Sequence, residues 1–142
     1  MKKIILVSIM LVPIISAAIG QDLKKSAVPE VVKAELSKKY PAAKKVTWER
    51  EKGNFEANWG GKSGEDMSVI FAPDGTFIEQ VAAIDSKDLP SGVTVYVKQH
   101  YKGLKIAEAG KVTDAKGTTK YEAEVHGKDL LFDEKGNFIK ID

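Results

Sequence analysis

The chain carries an internal repeat. Val28, Pro29, Val32, Leu36 and Tyr40 are matched by Leu89, Pro90, Val93, Val97 and Tyr101, each 61 positions later. At the same offset, Val69-Ile70-Phe71 matches Leu130-Leu131-Phe132, and Gly75-Thr76-Phe77-Ile78 matches Gly136-Asn137-Phe138-Ile139. Between these blocks the register slips. Phe55-Glu56-Ala57 falls opposite Tyr121-Glu122-Ala123, 66 positions on, as a change in hairpin length produces. A period of this size means that one supersecondary unit is used twice, which constrains architecture more tightly than local propensity does.

Residues 1–20 are set apart from that repeat. Lys2 and Lys3 precede an apolar run from Ile4 to Ile15, and Ala18 and Gly20 supply the small residues of a cleavage site after Gly20. This is a signal-peptide pattern. The run is shorter than the ~20 residues that span a bilayer and contains Pro13, so no membrane anchor is expected after cleavage. The chain has no cysteine, which rules out a lipidated terminus and disulfide staples. Export without disulfides points to a bacterial periplasm or exterior. Lys2 and Lys3 account for the formal charge of +2, so residues 21–142 are neutral. Charges of both signs are dispersed, without the basic field that nucleic-acid binding needs. Half-domains of ~60 residues would each be marginal alone, so one domain over residues 21–142 is expected, with repeats at 26–85 and 87–142.

In each repeat the hydrophobic period changes from helical to extended. Val28, Val32, Leu36 and Tyr40 form a stripe with charged residues on the other faces, and Pro29 and Pro41 bracket it: an amphipathic helix. The second copy is β-branched, and Gly92 alone costs about 1 kcal/mol against alanine, so propensity alone favours a strand. The stripe Leu89, Val93, Val97, Tyr101 favours a helix, and the repeat decides for the helix. Afterwards the period is two. Val46 and Trp48, then Phe55, Ala57 and Trp59, alternate with polar residues around a turn at Lys52-Gly53-Asn54. Strands follow at 67–71 and 76–81, and the second copy repeats the pattern at 105–113, 119–125, 130–132 and 137–141. The expected class is α+β: a tandem repeat of a helix plus a four-stranded antiparallel sheet. The two units join into one extended sheet, with both helices on one face and the other face open.

The stretch Val28-Pro29-Glu30-Val31-Val32 through Tyr40-Pro41, with Val46-Thr47-Trp48-Glu49, Phe55-Glu56-Ala57 and Asp74-Gly75-Thr76-Phe77-Ile78, resembles the bacterial PepSY-like proteins related in fold to beta-lactamase inhibitory protein. The likeness covers residues 21–142 twice over. It implies a small exported domain that binds, inhibits or regulates another protein without catalysis. The disulfide-bearing loops of the inhibitory protein have no counterpart in a chain without cysteine.

A search for chemistry agrees with that expectation. His100 and His126, the two histidines, fall in different elements without ligand spacing, so no metal site and no nucleophile–histidine pair is expected. Asp133-Glu134-Lys135-Gly136-Asn137 lacks the alternating ligands of a calcium loop and reads as a β-turn. No catalytic residue and no cofactor is expected. Trp48, Phe55, Trp59 and Tyr121 are the candidate partner-binding residues. Aromatics alternating with polar residues either pack beneath helices or stand on an open face as binding anchors, and alternation alone does not assign the face. If they are core, the open face carries Thr47, Glu49, Glu56, Asn58, Glu122 and Glu124. The function expected is an exported protein-binding module with a protein partner. The alternative is a sensor or carrier of lipid or cell-wall fragments, held between helices and sheet.

Overall fold

The computed structural model describes residues 21–142. The expected signal peptide, residues 1–20, lies outside the described residues. The strands are β1 (Gln21–Leu23), β2 (Thr47–Glu51), β3 (Asn54–Trp59), β4 (Met67–Phe71), β5 (Phe77–Ile84), β6 (Glu108–Asp114), β7 (Thr119–Val125), β8 (Lys128–Asp133) and β9 (Phe138–Ile141). They form one nine-stranded sheet in sequence order, antiparallel throughout. Helix α1 is Glu30–Lys39 and α2 is Ser91–His100, 61 positions apart at both ends.

Both helices begin directly after a proline and end at a tyrosine whose N–H donates to the carbonyl four residues back, Tyr40 to Leu36 and Tyr101 to Val97, each at 2.8 Å. Val32 and Leu36 are the buried residues of α1, and Val93 and Val97 those of α2. The β-branched second copy is therefore a helix, as its stripe requires. Gly92 has a packing reason. A Cβ there would stand 2.6 Å from the Gly136 carbonyl oxygen, so the first turn of α2 lies directly on the β8–β9 turn. In the first copy the matching pair is Val31 over Gly75, the bulk having moved to the helix.

The sheet has nine strands where four per unit were expected. The added strand is β1, which pairs Gln21, Asp22 and Leu23 with Arg50, Glu49 and Trp48. Its equivalent 61 residues on is the end of β5, where Ala82, Ala83 and Ile84 face Lys111, Gly110 and Ala109. The unit therefore opens on a short strand, followed by a 3-10 turn at Lys25–Ala27 or Ser86–Asp88, then the helix. β5 belongs to both units. It runs to Ile84, beyond the expected residue 81, because β6 supplies an outer partner along Glu79–Ile84. The units join edge to edge through this β5–β6 ladder, as expected.

Each helix contributes to its own core. Val28, Val32 and Leu36 pack with Trp48, Phe55, Ala57, Val69 and Phe71. Leu89, Val93 and Val97 pack with Ala109, Ala123, Val125, Leu130 and Phe132. Cross-strand partners share a face, and the register can be followed across the whole sheet. Trp48 pairs with Ala57, Ala57 with Val69, and Val69 with Gln80. Four residues after Gln80, Ile84 pairs with Ala109, which pairs with Ala123 and then Leu130. The strand residues of both cores thus lie on one face.

Candidate functional site

The alternation that sends Phe55, Ala57, Ala123 and Val125 into the cores sends Glu56, Asn58, Lys120, Glu122 and Glu124 to the other face. Glu49, Ser68, Ile70, Glu79, Val81, Gly110, Val112 and Leu131 join them by register. This second face is not flat. Lys52, in the β2–β3 turn, donates to Asp142, beyond β9, at 3.1 Å, so the sheet coils until its two ends nearly meet. Two cavities open on the inside of that coil, of about 320 and 630 Å³, and they share Ser68, Val81, Glu122 and Asp129. Val112 and Leu131 are 2% and 6% exposed although neither belongs to a helix-packed core. Coiling and the stems of their partners Lys120 and Lys140 cover them, and neither lines a cavity. The apolar floor is Val81, common to both cavities, with Ile70 and Ala83. Gly110, the cross-strand partner of Glu122, keeps the floor open: a Cβ there would meet Val81 at 2.7 Å.

The walls are acidic. Glu51, Glu56, Glu65, Asp66, Glu79, Glu108, Glu122, Glu124, Asp129 and Asp142 line the cavities, against Lys52 and Lys140. Both lysines are occupied by Asp142, at 3.1 and 2.8 Å. The carboxyls respond as crowding in a poorly solvated site requires. Burial pushes Glu122 up to about 7, helped by the charges of Asp129, Glu79, Asp142 and Glu56. Glu56 is also raised, by burial first and then by Glu49, Glu51 and Glu65, against the hydrogen bond that Ser68 donates to it. Asp129 is raised by burial, Asp142 and Glu108. Glu124 is raised by its residual burial, Glu108 and Asp129.

The four aromatic candidates stand on the face that carries the cores. Trp48 and Phe55 are 4% and 3% exposed within the α1 core, so they do not reach the open face. Trp59 packs against that core with its ring 5.2 Å from Tyr40, and Tyr121 packs against the α2 core. The polar set Thr47, Glu49, Glu56, Asn58, Glu122 and Glu124 is the one on the coiled face. Sequence reasoning missed Gly110, Val112, Leu131 and Asp129. Only the register, which is long-range information, gathers them around Glu122.

The remaining features are structural. His100 stacks on Tyr96 at 4.2 Å, and His126 turns the chain between β7 and β8. Asp133 accepts from the N–H groups of Lys135 and Asn137, each at 2.9 Å, so this turn is closed by its own hydrogen bonds. Asp74 and Asp114 act likewise, and all three carboxyls are held below the usual range, Asp133 first by the Asn137 side-chain amide and then by its backbone donors, the other two first by their backbone donors. Among the described residues no group of three or more histidines and carboxylates is arranged to hold a metal. No described helix is long and apolar enough to cross a membrane. Between helices and strands, where a carried ligand was considered, Val32, Val69, Phe71, Val93, Leu130 and Phe132 fill the space.

These features define a class: a duplicated α+β protein with a coiled sheet whose inner face is acidic. The model of the family described as "Putative beta-lactamase-inhibitor-like, PepSY-like" matches residues 17–79 and again 67–140, and the chain belongs to that PepSY-like family. The description of the family is inhibitor-like and names no enzyme activity. A comparison with curated proteins returned no match. Among solved structures, the chain is similar to one described as "putative periplasmic proteins" from Bacteroides eggerthii, with 20% identity, a TM-score of 0.68, and 81% of this chain and 88% of that one covered. It is similar to a DUF2874 family protein from Bacteroides uniformis, with 23% identity, a TM-score of 0.66, and 80% and 88% covered. A BLIP-like protein from Bacteroides fragilis matches with 22% identity, a TM-score of 0.59, and 80% and 84% covered. At these identities the likeness shows the fold alone.

Proposed function

We propose that this chain is an exported, periplasmic binding module that inhibits or regulates a protein partner by receiving a basic segment of it in the coiled sheet face. The observation that carries this is a cavity floor of partly exposed apolar residues, Ile70 and Val81, ringed by carboxylates, with the two lysines of the cavity walls already paired to Asp142. Uncovered apolar surface rimmed by charge is the usual mark of a docking site. An excess of one charge selects a partner of the other sign. Both helices lie on the opposite face in this reading. The common face of their two sets of strand partners supports it. Export is supported by residues 1–20 of the sequence and by the periplasmic description of a structural relative.

Calorimetric titration of residues 21–142 with extended peptides tests the reading. Peptides alternating lysine with leucine are expected to bind, and the same peptides with glutamate for lysine are not. Affinity falls about tenfold or more when salt rises from low ionic strength to several times physiological, because exposed charges are screened beyond the Debye length. Glu108→Lys with Glu124→Lys removes binding and leaves the core untouched. Equal binding of acidic and basic peptides, or none of either, sinks the proposal.

A further inference from the structure

The outer edge of β9 is the surface that the helices, the cores and the coiled face leave without a role. Its Phe138, Ile139 and Ile141 are 36%, 45% and 48% exposed, three large apolar side chains on a four-residue strand. An apolar edge strand with free backbone groups is a template for another strand. The repeat shows what such an edge accepts. β9 corresponds to the first half of β5, and both carry a bulge at the same place, opposite Ile70/Phe71 and Leu131/Phe132. On β5 the Ile78 carbonyl accepts from Ala115 N–H at 3.0 Å, and Glu79, Gln80 and Val81 face Asp114, Thr113 and Val112. Among the described residues, the same edge of β9, from Ile139 on, has no neighbour in the sheet order. Within this chain, then, the cover for such an edge is a strand of another unit of the same kind.

A head-to-tail contact would use β2, the counterpart of β6. β2 is too short. It ends at Glu51 and turns at Lys52 and Gly53, with φ of 48° and 84°, whereas β6 continues through Val112, Thr113 and Asp114, the three residues that cover Val81, Gln80 and Glu79. Lys52 also lies on Asp142 of its own chain. We propose that β9 instead pairs antiparallel with β9 of a second copy about a two-fold axis. Phe138 and Ile141 pair with the core residues Phe132 and Leu130 and so share the helix-packed face of the strands. In the pair they meet the same two residues of the second copy, continuing the apolar layer that Phe138 begins by stacking on Tyr96 at 4.5 Å. Such an isologous contact closes at two copies. It leaves the coiled faces of both copies uncovered, so it stands or falls separately from the peptide-binding function.

Sedimentation of residues 21–142 across a concentration series tests this directly. The expected result is a monomer–dimer equilibrium whose mean mass climbs from one toward two chain masses as the concentration is raised to about 1 mM, where a dimer with a Kd of that order is half populated. Ile139→Lys with Ile141→Lys abolishes the dimer and leaves Tm within about 2 °C, since surface substitutions change stability little. Ile139→Thr with Ile141→Thr, which keeps β-branching, weakens the dimer in the same direction and serves if the lysine variant is unstable. A chain that stays monomeric throughout overturns the proposal. So does a dimer untouched by well-folded edge variants, or a mass that grows past two copies.

Discussion

Glu122 sets the electrostatics of the coiled face. Its neighbours across the sheet are Gly110, which offers no side chain, and Leu131, which offers no hydrogen bond. Burial therefore acts on it unopposed, and the surrounding carboxylates add to the effect. In an unfolded chain its pKa is close to the ordinary 4.5, and in the folded chain it is about 7. Below the lower value both states hold the proton. Between the two values only the folded state holds it, so stability declines as pH rises through this window. Above the upper value the whole cost is present, up to about 3 kcal/mol. Glu122→Gln is expected to raise the urea midpoint near pH 8 by a corresponding amount and to change nothing near pH 4. The turn carboxylates Asp74, Asp114 and Asp133 act in the opposite direction, their lowered values removing stability as pH falls below the ordinary 3.8. Maximum stability is accordingly expected on the acid side of neutrality, and a midpoint that climbs steadily to pH 8 would contradict this.

At the scale of elements, α2 shows how the repeat overrides propensity. Glycine near the start of a helix costs about 1 kcal/mol against alanine, so Gly92→Ala would stabilise an isolated helix. Here the Cβ would meet a backbone carbonyl at 2.6 Å, and the Gly136 turn cannot swing aside like a flexible side chain. The expected outcome is a net loss of about 1–3 kcal/mol by chemical denaturation, in the range of overpacked cores. A gain would show that the turn gives way. β1 illustrates the converse. Three residues, of which only Leu23 is apolar, cannot announce a strand, and they become one because β2 offers a free edge. The signal was present in the match of Leu23 to Ile84 at the repeat offset, but so short a match has no weight by itself.

At the scale of the molecule, β5 makes one cooperative body out of two units. It carries the last ladder of the first unit and the first of the second, so neither unit melts without breaking a strand of the other. Both tryptophans, Trp48 and Trp59, lie in the first unit, while Leu130 is fully buried in the second. Leu130→Ala is expected to cost about 2–5 kcal/mol and to move the tryptophan-fluorescence transition in step with far-UV circular dichroism. A fluorescence midpoint that does not move would mean that the units unfold independently.

The helices, the strand alternation, the turns and the duplication are short-period properties, and the order of side chains along the chain is enough to determine them. Alternation also divided Trp48, Phe55 and Trp59 from Glu49, Glu56 and Asn58 into two opposite sets. Which set faces the helices, where β1 attaches, and how far the sheet coils before Lys52 meets Asp142 were decided by tertiary structure alone. These depend on register and twist accumulated over nine strands. No local pattern encodes a sum of that length, and the crowding of Glu122 exists only after it has been made.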